Sequence, residues 1–559
     1  MPSPDALALR QARQALALAN GKQKLAILLE GNDPRGLIQA LPAQELYLTL
    51  LDVGLDDCAE VVALASPQQF KHFIDMSCWP RRDAPPDPRK MMRWLTLARD
   101  GGGTSDLALR RFHTKLAALD VELFALLLRR EFTVIDLTEN EFPELPDDAQ
   151  TWTTPDRRYM VVFNEEGSPY AILKRLLDDL VQENAFHVSR MLEALRWELP
   201  SELEETSRRW RDGRLRDAGV PELEEALAFV ARPARKKERV SRGGGEEGKL
   251  SGSGAAGGGD ALHAEKKAGG DVLDANDLRG GRVGAALAAP LIALPMLERA
   301  VARLQDSQRA QAEESIAYAA NAALVAWKVQ LDDPAELRPA LLNSRALLSL
   351  GLELLAGGDE QLAAEVLAER PVREIFQAAM SELYRLQARA RAAAQGARLP
   401  LATRVTLFGP PFAALLDALH GTPPLIDGVR MHSAQAHAPQ SRAEMARADA
   451  LLDEAEALPE ILAALDLSPE KLGRAAEQAG IAPTGLRASD ALHARALCDL
   501  RGVPFSLAAL QEPGSALPEG FAQRLELLLA SALESVRPGA ALAAAKRMGE
   551  RLRAAALAR

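Results

Sequence analysis

Cysteines, aromatic side chains, long apolar runs and surplus positive charge are all scarce in this chain, and each shortage closes off a class of protein. The three cysteines, Cys58, Cys78 and Cys498, are too few and too scattered for a disulfide framework or a zinc knuckle. An odd count without Cys-x-x-Cys spacing suits a reducing compartment, so a cytoplasmic location is the expectation. The longest apolar run, Val283–Leu297, is interrupted by Pro290 and Pro295, whereas a membrane-spanning helix needs about twenty apolar residues. Met1–Asn20 carries Arg10 and Arg13 and lacks the unbroken apolar core of a signal peptide. A net charge of −11 argues against general nucleic-acid binding, because neutralising phosphates requires a basic face. Recognisable catalytic signatures are missing too: there is no His-Glu-x-x-His, no Gly-x-Ser-x-Gly, and no Cys beside a His in a protease pattern.

What is present is helix punctuation. Aromatics make up only 4% of the chain while Ala and Leu abound, a balance that favours helix. Pro42 starts one stretch with Leu46, Leu50 and Val53 at i, i+4 and i+7, and Gly54 stops it. Asp56 is positioned to cap Cys58–Ala65, and Ser66-Pro67 opens a stretch carrying Phe70, Phe73 and Ile74. Asp106–Leu128 repeats the helical spacing through Leu116, Leu119, Leu123 and Leu127. Helices of about three turns are unstable alone, so neighbours must cover their apolar stripes. Strand patterning is confined to Phe132–Leu137 and a hairpin of Thr151–Thr154 with Arg157–Phe163.

From Ala231 the composition shifts. Arg232–Arg242 is basic, and 243–284 holds 14 of the 39 glycines, too little apolar surface to offset ordering entropy. The expected organisation is therefore a helical array over 1–130, a small β element with helices over 131–232, a disordered basic and Gly-rich linker over 233–285, and a C-terminal helical domain over 286–559. The fold class is mainly α: stacked short helices, irregular and solenoid-like, with one small sheet. Gly357-Gly358 with Asp359, Pro371, Leu458-Pro459 and Ser468-Pro469 punctuate the second half.

Two motifs mimic chemistry. Gly243–Leu250 reads GGGEEGKL, but Leu250 stands where a phosphate loop needs Ser or Thr, and Glu246 and Glu247 repel phosphate. His420, His432 and His437 with Asp427 match no regular metal spacing, so no metal or cofactor is expected.

The densest polar constellation is Trp197–Arg214. With Pro200 starting a helix, Glu202 lies in the first turn and Arg208, Arg211 and Arg214 toward the end, which complements the macrodipole. Glu204/Arg208 and Glu205/Arg209 fall at i, i+4 as surface pairs. Any binding site is expected here, on Trp197, Glu198, Glu202, Arg208, Trp210, Arg211 and Arg214, since Arg suits bidentate recognition of carboxylate or phosphate.

The run RWELPSELEETSRRWRDGRLRDAGVPELEEAL at 196–227, with the stretches at 41–79, 157–163 and 341–367, resembles a bacterial family of long helical proteins that carries a domain-of-unknown-function label. The likeness spans most of 30–400 and implies no reaction. Residues 37–79 alone are similar to the cytosolic helical domain of bacterial magnesium transporters, a regulatory domain; the likeness implies regulation by a cation through Asp52, Asp56, Asp57 and Asp75, which serve equally as helix ends. Three functions follow as expectations: a scaffold or regulatory protein that binds a protein partner, an enzyme of unfamiliar type built around 197–214, and a divalent-cation-responsive regulator.

Overall fold

The computed structural model describes residues 12, 15–16, 19–79, 84–129, 131–146, 148–163, 170–231, 295–396, 412–427, 436–482, 486–510, 518–536, 545 and 547–552. The expected linker at 233–285, the GGGEEGKL motif and His432 lie outside them.

The chain is mainly helical, and its caps explain the opening helices. Asn20 and Gln23 form a capping box on α1 (Gly21–Leu29), and Asp33 accepts from Gly36 N at the start of α2 (Pro34–Ala40). Pro42 precedes α3 (Ala43–Val53), which Gly54 ends at φ 107°, a conformation that favours glycine. The next helix departs from expectation: Leu55–Cys58 is a 3-10 turn, and α4 (Ala59–Leu64) follows with no side-chain cap. Asp56 pairs with Arg93 at 2.7 Å instead of capping. Ser66 and Gln69 box the start of α5 (Pro67–Ser77), and α6 is Pro88–Asp100.

Asp106–Leu128, continuous by pattern, is two helices, α7 (Asp106–Ala117) and α8 (Val121–Leu128). Between them the chain tightens through i→i−3 bonds from Ala118 and Leu119. There Asp120 is held by Lys71 and Arg214, each at 2.8 Å. Tertiary ion pairing thus coincides with a break the periodicity does not show.

Strands β1 (Phe132–Asp136), β2 (Thr151–Thr153) and β3 (Tyr159–Phe163) form an antiparallel sheet in the order β1-β3-β2, with Phe132 opposite Phe163 and Trp152 opposite Val161. Alternation turns Tyr159, Val161 and Phe163 inward. Helices α9 (Tyr170–Trp197), α10 (Pro200–Asp217) and α11 (Leu223–Val230) follow.

After residue 294 come α12 (Pro295–Arg303), α13 (Asp306–Ala326), α14 (Pro334–Ala356), α15 (Glu360–Glu369) and α16 (Val372–Gly396). The chain continues through α17 (Phe412–His420), α18 (Arg442–Ala464), α19 (Pro469–Gln478), α20 (Ala488–Arg501) and α21 (Phe521–Val536). Gly357 and the Asp359 cap separate α14 from α15 as expected. Leu458-Pro459 does not start a helix; Pro459 sits inside α18. An interior proline costs about 3 kcal/mol, and the burial of Leu458, Ile461 and Leu462 on either side of it offsets that penalty.

Two apolar cores result. The first takes in residues from Leu16 to Val220, with the inner face of the sheet, together with Leu324, Leu337 and Ala340; the second takes in residues from Ala226 on α11 to Leu552. Helix α14 joins both: Leu337 and Ala340 belong to the first, Ala346 to Ala356 to the second. Polar contacts tie the two at the same level. The amides of Gln44 and Asn321 bond reciprocally at 2.6 and 3.2 Å in a buried setting, and Tyr47 donates to Leu331 O at 3.0 Å. Among the described residues no single helix is long and apolar enough to cross a membrane.

Candidate functional site

Where α14 leaves the first core, a cleft of about 460 Å³ opens against α1 and α3. That size lies in the range of small-molecule pockets. Gly21 lets α1 begin close beside the end of α3, since a Cβ there would stand 3.3 Å from Asp52 O. Lys24, one turn on, is buried and donates to Asp52 Oδ2 at 2.5 Å. From the opposite wall, Arg338 approaches Asp52 Oδ1 at 3.4 Å. One carboxylate therefore answers two cations.

A third cation remains. Arg345 lines the cleft two turns further along α14, half-buried, with no hydrogen-bond or ion-pair partner among the described residues. Burial lowers its pKa from the ordinary value, and Glu298 on α12 opposes that shift through space. Guanidinium is so strong a base that it stays charged regardless. Pro339, also in the lining, has no N–H, so the carbonyl of Ala335 beside it receives no i→i−4 bond. The rest of the wall is apolar, built from Leu48, Leu51, Leu337, Leu341 and Leu342. Thr49 contributes little chemistry, because its hydroxyl donates to Glu45 O at 2.8 Å.

The residues expected from the sequence to form a site separate into two groups. Trp197 and Trp210 are 68% and 56% exposed, Glu198 and Glu202 are exposed, and Arg208 pairs with Glu204 along the helix surface. Arg196 stacks over Trp197 at 4.6 Å. Arg211 and Arg214 turn the other way. Arg211 is buried, donates from Nε to Asp75 O at 2.7 Å, and lies 5.2 Å over Trp79. Arg214 grips the Asp75 carboxylate and also meets Asp120. None of the seven lines the 460 Å³ cleft or a smaller hollow of about 70 Å³ beside Arg99 and Phe112.

Three of the four acidic groups proposed for a cation are engaged by protein cations, Asp52 by Lys24, Asp56 by Arg93 and Asp75 by Arg214, while Asp57 is exposed. His437 bridges Ile426 through backbone bonds, and His420 Nδ1 lies 2.6 Å from Leu416 O. Among the described residues no three His, Cys, Asp or Glu side chains gather as metal ligands.

Residues 3–515, the cleft included, match a single family. The chain belongs to the Family of unknown function (DUF6178). The match extends past the 30–400 span legible in the sequence and stops short of α21. No curated protein and no solved structure matches the chain, the magnesium-transporter domain included.

The cleft of this DUF6178 chain was missed because its walls come from segments some 300 residues apart in sequence. One signal was available. Arg345 is the sole charged residue between Leu341 and Leu352, and a lone arginine in an apolar helical run needs either a partner or a ligand.

Proposed function

We propose that this protein is a regulatory binding protein whose working site is the cleft between α1, α3 and α14, where it holds a small molecule without transforming it. The observation that carries this reading is the shared wall: α14 belongs to both cores, and the cleft opens at its crossing point. A molecule seated there touches the helix that links the two halves, a placement suited to reporting occupancy. The lining supports binding over catalysis, since its one carboxylate, Asp52, is neutralised by Lys24 and it contains no His or Cys to serve as base or nucleophile.

The test is retention. Purified protein is incubated with a small-molecule extract of its source cells, desalted, and examined by native mass spectrometry. A Leu342→Trp variant, which fills the cleft from a half-buried position, serves as control. A defined added mass on the wild type that is absent from the variant supports the reading. No retained mass, or equal retention by both proteins, removes it.

A further inference from the structure

We infer that the cleft is built for an amphiphilic monoanion: one carboxylate-like head on Arg345 and an apolar body against Leu48, Leu51, Leu341 and Leu342. The inference rests on the binding-protein reading above and names the ligand class that reading leaves open.

Charge counting gives the head group. Lys24 and Arg338 both close on Asp52, one at 2.5 Å and the other at 3.4 Å, so neither is free to take a second anion without losing the first. Arg345 is the remaining cation, and its planar fork fits a carboxylate through two parallel hydrogen bonds. One guanidinium that Glu298 reaches only through space, with no direct contact to a carboxylate among the described residues, matches one negative charge. A dianion such as phosphate would draw on Lys24 or Arg338 and weaken the pairing of the half-buried Asp52 with that cation.

The apolar body follows from the rest of the lining. Leu48 and Leu51 come from α3, Leu337, Leu341 and Leu342 from α14. Leu342 belongs to neither core, so its half-buried side chain faces the cleft as uncovered apolar surface. A free polar ion would leave that surface wet. A hydrocarbon tail covers it and removes it from water, which is favourable in proportion to the apolar area covered. The uncapped Ala335 carbonyl beside Pro339 disfavours a second anionic group at that end.

The probes are sodium octanoate, 1-octanol and inorganic phosphate, titrated calorimetrically into the full chain at constant ionic strength. Octanoate is expected to bind one to one and raise the thermal midpoint with concentration, while octanol and phosphate bind at least tenfold more weakly. Arg345→Gln is expected to weaken octanoate at least tenfold and to leave octanol unchanged; Leu342→Trp is expected to abolish both. Octanoate carrying a photoreactive diazirine at its tail, used on the wild-type chain, is expected to label peptides containing Leu48, Leu51 or Leu342, which serves should Arg345→Gln fail to fold. Equal binding of octanol and octanoate, or octanoate binding unaffected by Arg345→Gln, overturns the head-group assignment while the cleft reading stands. Tightest binding by phosphate overturns the monoanion. Labelling elsewhere, or octanoate binding indifferent to Leu342→Trp, overturns the cleft reading along with it.

Discussion

Arg214 meets Asp75 through two parallel hydrogen bonds, Nε to Oδ2 at 2.7 Å and Nη2 to Oδ1 at 2.8 Å. The pair locks α10 onto α5, and the same guanidinium reaches Asp120 at 2.8 Å in the break between α7 and α8. Burial pushes the Asp75 carboxyl above its ordinary pKa, and Arg214 works against that push. Arg214→Ala leaves a buried carboxylate without its counter-ion, so a loss of about 3 kcal/mol is expected in urea unfolding. Arg214→Lys should recover only part of it, because ammonium lacks the two-pronged fork. A loss under about 1 kcal/mol for the alanine variant would show the pair to be incidental.

His72 lies beside this pair, and its Nε2 is buried with no hydrogen-bond partner among the described residues. Burial, reinforced by nearby Arg214, lowers its pKa to about 4. The unfolded chain binds a proton near pH 6.5, before the folded one does. Stability is therefore complete above about pH 6.5, is lost as pH falls toward 4, and levels off below that. Moving from about pH 7.5 to about pH 5 should cost wild type about 2 kcal/mol more than His72→Leu. Parallel stability–pH curves for the two proteins would remove His72 from the account.

Gly351 marks the closest approach of α14 to α16. A Cβ there would fall 2.0 Å from the carbonyl oxygen of Ile375, and rigid helix backbone cannot move aside as a side-chain tip can. Gly351→Ala should destabilise the protein by about 1–3 kcal/mol despite its better helix propensity. Thermal unfolding of the variant at or above the wild-type midpoint would contradict this packing.

Gln44 and Asn321 exchange two hydrogen bonds, and Asn321 also donates to Gly219 O at 3.1 Å. Replacing either amide with Leu strands the other in a buried setting, at about 1–3 kcal/mol. The double variant should cost less than the sum, with a coupling of about 1 kcal/mol in a double-mutant cycle. Simple additivity would mean the amides are independently satisfied.

Trp197→Ala and Trp210→Ala remove large but exposed rings. Each should change unfolding free energy by no more than about 0.5 kcal/mol. A larger loss would give these side chains a structural role that their exposure does not show.

Much of the helix layout was legible. Ser66 and Gln69, Asp359, and Gly54 are local devices whose partners lie within a turn, so their meaning is written in neighbouring residues. The errors came where distant residues intervene. Pro459 reads locally as a start and is overridden by burial on both sides of it. Asp120 stands in the break before Val121–Leu128 in company with Lys71 and Arg214 from other elements. At Trp197–Arg214 the density of charge is legible along the chain, whereas the fold alone sets which way each side chain turns: Arg211 and Arg214 bond inward to Asp75 and the tryptophans face outward.

By itself the sequence determined a mainly helical chain with one small sheet, because periodicity, caps and glycine stops act over a few residues. Only the tertiary structure decided which cations are satisfied. Arg214 and Arg345 are the same residue type on comparable helices, and neither spacing nor composition separates them. What separates them is that folding brings Asp75 to the first and leaves the second facing a cleft, since the energy of a buried charge is set by what stands within a few ångströms in space.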